Sequence, residues 1–263
     1  MENRRTKPEV GQILWHDLLT NDVAKAKHFY GELLGWQYQI EHATDFVWQP
    51  GEADYPLIFV HGEAHGGFVE VGQDVPSRWV AYVGVEAVDA VTAKAQRLGA
   101  TLDRPPFDIP GVGRSALIRD LQGAIICPYV ATHSFPPPSG TFLWDELITP
   151  DVEPAKRFYG ELFGWQANDV DWGPMGGATV FKGPDDIGVA GAIARSQNTA
   201  SPAVWVPYLA ATNMDVTVAQ AKALGAIVQT AGTNVPNLGR LVVLTDPTGA
   251  LFGLLARSNA RQP

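Results

Sequence analysis

The sequence predicts an α+β fold of four βαβββ units, two in each half of an internally duplicated chain, with curved, cup-like sheets carrying their helices outside. The repeat predicts it first. Residues 15–36 read WHDLLTNDVAKAKHFYGELLGW, and residues 144–165 read WDELITPDVEPAKRFYGELFGW, a displacement of 129 positions. Further on the displacement becomes 126, so that Trp79, Tyr82 and Leu98–Gly99–Ala100 match Trp205, Tyr208 and Leu224–Gly225–Ala226. Gly113, Arg114, Asp120 and Gly123 likewise return as Gly239, Arg240, Asp246 and Gly249. The second observation is a proline-rich seam, Ser134–Gly140 (SFPPPSG), stiff enough for an interdomain linker. It divides the chain into modules at 1–133 and 141–263, with 134–140 between them.

Each half repeats one local grammar. A strand (Ile13–Leu19; Phe142–Ile148) ends at Thr20 or Thr149, read as helix N-caps, with Pro150 at the first helical position of the second copy. Val23, Ala26, Tyr30, Leu33 and Leu34 mark one helical face, and Gly35 stops the helix. Shorter β segments follow, then a strand (Trp79–Val85; Trp205–Ala211) and an Ala-rich helix ending at Leu98–Gly99 or Leu224–Gly225. A hairpin-like pair around Asp120–Gly123 or Asp246–Gly249 closes each half.

Composition narrows the function. A formal charge of −9, without a basic cluster beyond Arg4, Arg5 and Lys7, argues against nucleic acid or an anionic membrane as partner. The single cysteine, Cys127, allows no intrachain disulfide and points to a reducing compartment. The first residues lack the apolar stretch of a secretory signal, and no apolar run reaches the roughly 20 residues that span a bilayer. These features predict a cytoplasmic protein, a monomer or homodimer, whose partner is a small organic molecule.

The order of motifs, repeated twice, resembles the vicinal oxygen chelate superfamily of glyoxalases, bleomycin-resistance proteins and dioxygenases. The motifs are a strand, a helix with FYxxLxGW, a V-E-x-V-D-A helix start, then GR…DPxGA. The two-module form is most similar to a glyoxalase-like actinobacterial subgroup. The resemblance implies paired βαβββ units curled into a cup that holds a metal and substrate, or sequesters a drug. It also implies three metal-ligand positions per module. Counting 14 residues back from Phe29 and Phe158 puts the first at Trp15 and Trp144. The second falls at Val80 and Val206, and the third, seven residues after Asp120 and Asp246, at Cys127 and Gly253. Indole and valine cannot donate to a divalent ion, and one thiol makes no site, so neither metal nor other cofactor is expected. His61 and His65 flank a Gly-containing turn rather than an HExxH helix. His16 reads as a core histidine on the helix-side face, and His28, His42 and His133 as surface residues.

Strand alternation then gives the cup lining. In the first half it comprises Trp15, Asp17 and Leu19; Val80, Tyr82 and Gly84; Ile125, Cys127 and Tyr129. In the second it comprises Trp144, Glu146 and Ile148; Val206, Tyr208 and Ala210; Leu251, Gly253 and Leu255. Each cup therefore offers a Trp, a carboxylate and a Tyr among aliphatic residues, the composition of a small-molecule pocket. Asp17 and Glu146 are read as catalytic acids or bases, or as acceptors for Tyr82 and Tyr208, or as partners of Arg114 and Arg240. Trp15, Tyr82, Cys127, Tyr129, Trp144 and Tyr208 are the expected ligand contacts, with Trp48 and Trp172 at the rims. Cys127 lacks a neighbouring His to activate it and also reads as a packed thiol. Trp36 and Trp165 read as packing, and Trp79 and Trp205 as covering a sheet edge. Three functions compete: metal-free binding of a hydrophobic or aromatic molecule, a cofactor-free isomerase, lyase or hydrolase using Asp17 or Glu146, and a metal-dependent glyoxalase or dioxygenase with displaced ligands. The halves diverge most over residues 40–75 and 168–200, so the cups are expected to be unequal, the first slightly more polar.

Overall fold

A computed structural model describes residues 10–44, 52–109, 112–132, 139–171, 176–195, 201–235 and 238–257. The proline run and the residues Trp48, Trp172 and His133 lie outside the described residues. The first half runs β1 (Ile13–Thr20), α1 (Val23–Leu34), β2 (Gln37–Thr44), β3 (Glu52–Val60), β4 (Glu63–Glu70), β5 (Arg78–Gly84), α2 (Val88–Arg97), β6 (Thr101–Ile109), β7 (Gly113–Arg119) and β8 (Ile125–Ala131). The second runs β9 (Phe142–Thr149), α3 (Val152–Phe163), β10 (Gln166–Asp171), β11 (Gly177–Lys182), β12 (Gly188–Ala194), β13 (Val204–Ala210), α4 (Met214–Ala223), β14 (Ile227–Val228), β15 (Thr233–Val235), β16 (Gly239–Thr245) and β17 (Leu251–Arg257). Each half forms one mixed sheet. The strand order is β2-β3-β4-β1-β5-β8-β7-β6 in one and β10-β11-β12-β9-β13-β17-β16-β14 in the other, with β15 also on β16.

The helix starts correct the sequence reading. Asp22 and Asp151 are the N-caps, accepting from the N–H groups of Lys25 and Glu153, so the helices begin at Val23 and Val152. Thr20 lies at the strand end and accepts from the Asp22 N–H instead, which left an oxygen-bearing side chain on each side of the boundary. Pro150 consequently precedes the cap rather than opening the helix. The stops are as expected: Gly35 and Gly164 take left-handed conformations (φ 71° and 73°) that a β-carbon would penalise.

Each sheet buries its two faces differently. The helix-side cores mix the halves. One joins Val83, Ala116 and Ile126 and α2 to Phe158, Tyr159 and Phe181 of the second half. The other joins Phe29, Tyr30 and Phe68 to Leu209, Val242 and Phe252. Two buried polar bonds are exchanged across this seam, each backed by an indole N–H from its own half. Tyr30 donates to Asp246 (2.9 Å) and Tyr159 to Asp120 (2.8 Å), while Trp79 donates to Tyr30 and Trp205 to Tyr159, both at 3.0 Å. Trp79 and Trp205 thus sit on β5 and β13 in the middle of their sheets, not at an edge; their indole N–H groups need the tyrosine oxygens found there. His16 faces this seam as expected, with Nε2 2.9 Å from Asp145, its counterpart in the repeat, and its ring stacked on Phe142.

Candidate functional site

The opposite faces are the cup linings, and each draws on one half only. Leu19, Val80, Tyr82, Ile125, Cys127 and Tyr129 pack together with Trp15, and Val206, Tyr208 and Leu255 with Trp144, Ile148 and Leu251. The side chains that strand parity puts on one face do pack together, joined by Tyr55, Val69, Ile109 and Leu117 in the first half and by Val235, Leu241 and Val243 in the second.

In the first cup Asp17 is fully enclosed by donors. Its Oδ1 accepts from the Tyr55 hydroxyl (2.6 Å) and the Trp15 indole N–H (3.0 Å), and its Oδ2 from the Tyr82 hydroxyl (2.7 Å). The Trp15 N–H is also 3.1 Å from the Tyr55 oxygen, so the tyrosine hydroxyl both donates to the carboxylate and accepts from the indole. Burial raises the Asp17 pKa, while these three bonds pull it down. Tyr82 and Tyr55 are in turn held as neutral phenols, their ionisation pushed far up by burial and by Asp17. Tyr129 donates to the Val112 carbonyl (3.0 Å) and meets Tyr82 edge-on. Cys127 is buried beside Tyr82, and burial raises its thiol, the behaviour of a packed group rather than a nucleophile.

The second cup is built differently. Glu146 is 1% exposed; its Oε2 accepts from the Tyr208 hydroxyl (2.8 Å), and its Oε1 has no partner among the described residues. The Trp144 N–H, also buried, is likewise unpaired. Burial pushes the Glu146 carboxyl up to about 7, with only Tyr208 opposing it. The expected arginine partners are elsewhere: Arg114 pairs with Asp89 and Asp108, and Arg240 with Asp215, all on the protein surface.

Tyr55 escaped sequence reading because β3 lies where the halves diverge, and the repeat offered no register for it. Its one signal was alternation with Leu57, which shares its face of β3. The geometry makes Asp17 a clamp for three donors. Asp17→Ala is expected to orphan all three and lower stability by roughly 2–4 kcal/mol in a denaturant titration. Glu146→Ala, orphaning Tyr208 alone, should cost less than half as much; equal losses would mean that the three bonds do not act as a unit.

The metal positions do not fit a metal. Val80 and Val206 are buried hydrocarbon, and a β-carbon on Gly253 would lie 2.3 Å from the Tyr208 ring, leaving Cys127 as a lone donor among the three pairs of positions. Among the described residues no three of His, Cys, Asp and Glu cluster as ligands would. His61 and Gly62 form the β3–β4 turn with positive φ, and His65 is buried on β4. Where the halves meet, a crevice of about 130 Å³ lies between Gln12, His16, Trp144 and Asp145. That is below the roughly 300 Å³ at which pockets enclose a drug-sized ligand.

Two sheets of this topology with such cups define a tandem glyoxalase-like protein, and the comparisons agree. The model of the Glyoxalase/Bleomycin resistance protein/Dioxygenase superfamily matches residues 11–127, and that of the Glyoxalase-like domain matches residues 142–255. The chain is 30% identical over 260 residues to the putative glyoxylase CFP32 of Mycobacterium tuberculosis, covering 96% of this chain and 97% of that protein. The chain belongs to the vicinal oxygen chelate superfamily, in its two-module form. It is also 26% identical over 272 residues to the anthracycline biosynthesis protein DnrV of Streptomyces peucetius, covering 93% of each. Among solved structures, an extradiol ring-cleaving dioxygenase from B. fuscum superposes with a TM-score of 0.63 at 15% identity, over 100% of this chain and 77% of that one. A Mn(II)-bound glyoxalase from Novosphingobium aromaticivorans gives 0.61 at 14% identity, over 95% and 83%. At those identities the likeness is one of fold. Among the described residues no helix is long and apolar enough to cross a membrane.

Proposed function

We propose that this protein binds a small hydrophobic or aromatic organic molecule in a cup without using a metal, as a cytoplasmic monomer or homodimer. The observation that carries the reading is the Trp–carboxylate–Tyr cluster, set in an apolar wall among positions that cannot ligate a metal. The relatives' names, a glyoxylase and a protein of anthracycline biosynthesis, accord with small organic ligands. The test is elemental analysis of purified, untreated protein together with native mass spectrometry. The expected result is a co-purifying organic mass and no metal; stoichiometric Fe, Zn, Ni or Mn would overturn the reading.

A second reading has its own observation. A carboxyl at about 7 is half protonated at neutral pH, where an acid–base catalyst works best. If the bound molecule is turned over, Glu146→Gln should lower turnover by about 10²-fold or more while leaving affinity within about tenfold.

A further inference from the structure

The two cups are related position by position through their glycines. Asp17 on β1 stands opposite Gly67 on β4, and Leu57 on β3 is the next partner across, so Tyr55 lies two residues along the same face. In the second cup Glu146 stands opposite Gly191 on β12, with Val180 on β11 beyond it, which puts Ala178 in the place of Tyr55. The glycines are each crossed by an aromatic ring. A β-carbon on Gly67 would run into the Tyr55 ring at 2.1 Å, whereas one on Gly191 would lie 3.0–3.3 Å from Trp144. The Trp144 indole thus leans on β12, with its flank against Gly188 as well. Tyr55 supplies one hydroxyl that satisfies both the carboxylate and the indole of its cup. The second cup has the same carboxylate and the same indole, but an alanine where the phenol would be, and Oε1 and Nε1 are the two polar atoms left without a partner.

We propose that the second cup, and not the first, receives the ligand, and that the ligand carries a phenolic hydroxyl which donates to Glu146 Oε1 and accepts from Trp144 Nε1, as Tyr55 does internally in the first cup. This rests on the small-molecule reading above and names the cup and the ligand chemistry. The walls supply the rest of the recognition: Val206, Ile148, Leu241, Val243 and Leu255 favour an aromatic body over a polar one. A hydroxyl donates more strongly to a carboxylate than to a carboxylic acid. Among the described groups, Tyr208 on β13 is the titratable side chain in contact with Glu146, and burial keeps it neutral. The wall around Glu146 from β9, β13, β16 and β17 is built of Leu143, Ile148, Val206, Leu241 and Leu255. Since Glu146 titrates near 7, affinity should rise between pH 6 and pH 8.

The experiment is calorimetric titration of the full chain with 2-naphthol, 2-methoxynaphthalene and naphthalene. One equivalent of 2-naphthol should bind at least about tenfold more tightly than either of the others, the effect of one hydrogen bond to a charged group. The preference should be larger at pH 8 than at pH 6, and Glu146→Gln should remove that pH dependence. Ala178→Tyr should abolish 2-naphthol binding while raising the melting temperature, since it rebuilds the internal phenol of the first cup; should that variant not fold, Ala178→Phe tests occlusion without the hydroxyl. Equal binding of all three probes would overturn the phenol assignment and leave small-molecule binding standing. Binding of 2-naphthol that persists in both position-178 variants would place the ligand elsewhere and overturn the choice of cup. Binding of none would overturn the assignment, with water then the partner of Oε1 and Nε1.

Discussion

Expressed alone, residues 1–135 should yield an insoluble or self-associated product. The first half's helix-side surface is covered by the second half: Phe29 and Tyr30 pack on Phe252, and α2 packs on α3. Removing the second half would expose both mixed cores, tens of apolar side chains at roughly 25 cal/mol per Å² of exposed surface, against a typical domain stability of about 5–15 kcal/mol. It would also leave Asp120 and Tyr30 buried-type polar groups without Tyr159 and Asp246. Because the halves carry the same pattern, two copies of the first can stand in for the pair, so a dimer is the expected soluble fraction. Analytical ultracentrifugation and amide exchange decide it. A stable monomer with native-like protection would show that the halves fold independently.

The second large effect is a pH-dependent change in stability at Glu146. Its folded value, about 7, lies above the ordinary 4.5, so folding takes up a proton. The contribution is fully present below about pH 4.5, declines as pH rises, and is lost above about 7. Glu146→Gln removes that slope and keeps a partner for Tyr208. Relative to wild type the variant should therefore gain stability between pH 5 and pH 8, by up to about 3 kcal/mol, the linkage value of that pKa difference. Other titrating groups are common to both proteins and cancel. Parallel curves of unfolding free energy against pH would show that Glu146 ionises as it would in water.

Particular residues show what sequence could and could not deliver. A two-residue period is insensitive to small boundary errors, so Trp15, Asp17, Tyr82 and Cys127 were assigned to one face although β1 carries an irregularity between Ile13 and Trp15. The helix stops at Gly35 and Gly164 are local properties of a residue without a β-carbon. The starts were misplaced because Thr20 and Asp22 are both able to cap, and only the backbone conformation distinguishes them. Tyr55 and the two bonds exchanged across the seam are long-range pairings, Tyr55 lying 38 positions from its acceptor and Tyr159 and Tyr30 lying 39 and 216 from theirs, and nothing local encodes such distances. The arginines were misassigned for the same reason. The partners common to both copies, Asp89 and Asp215, lie on neighbouring surface elements 25 positions away.

The cups' private linings and the helices' shared cores have an evolutionary consequence. A substitution among the residues of one helix-side core is felt by both modules. The hydrophobic clusters inside the cups each draw on one module only. After duplication a change of scaffold must suit both modules, whereas a change of interior must suit chiefly its own. In the first module a single tyrosine, Tyr55, satisfies the carboxylate and the indole of the interior without entering either shared core.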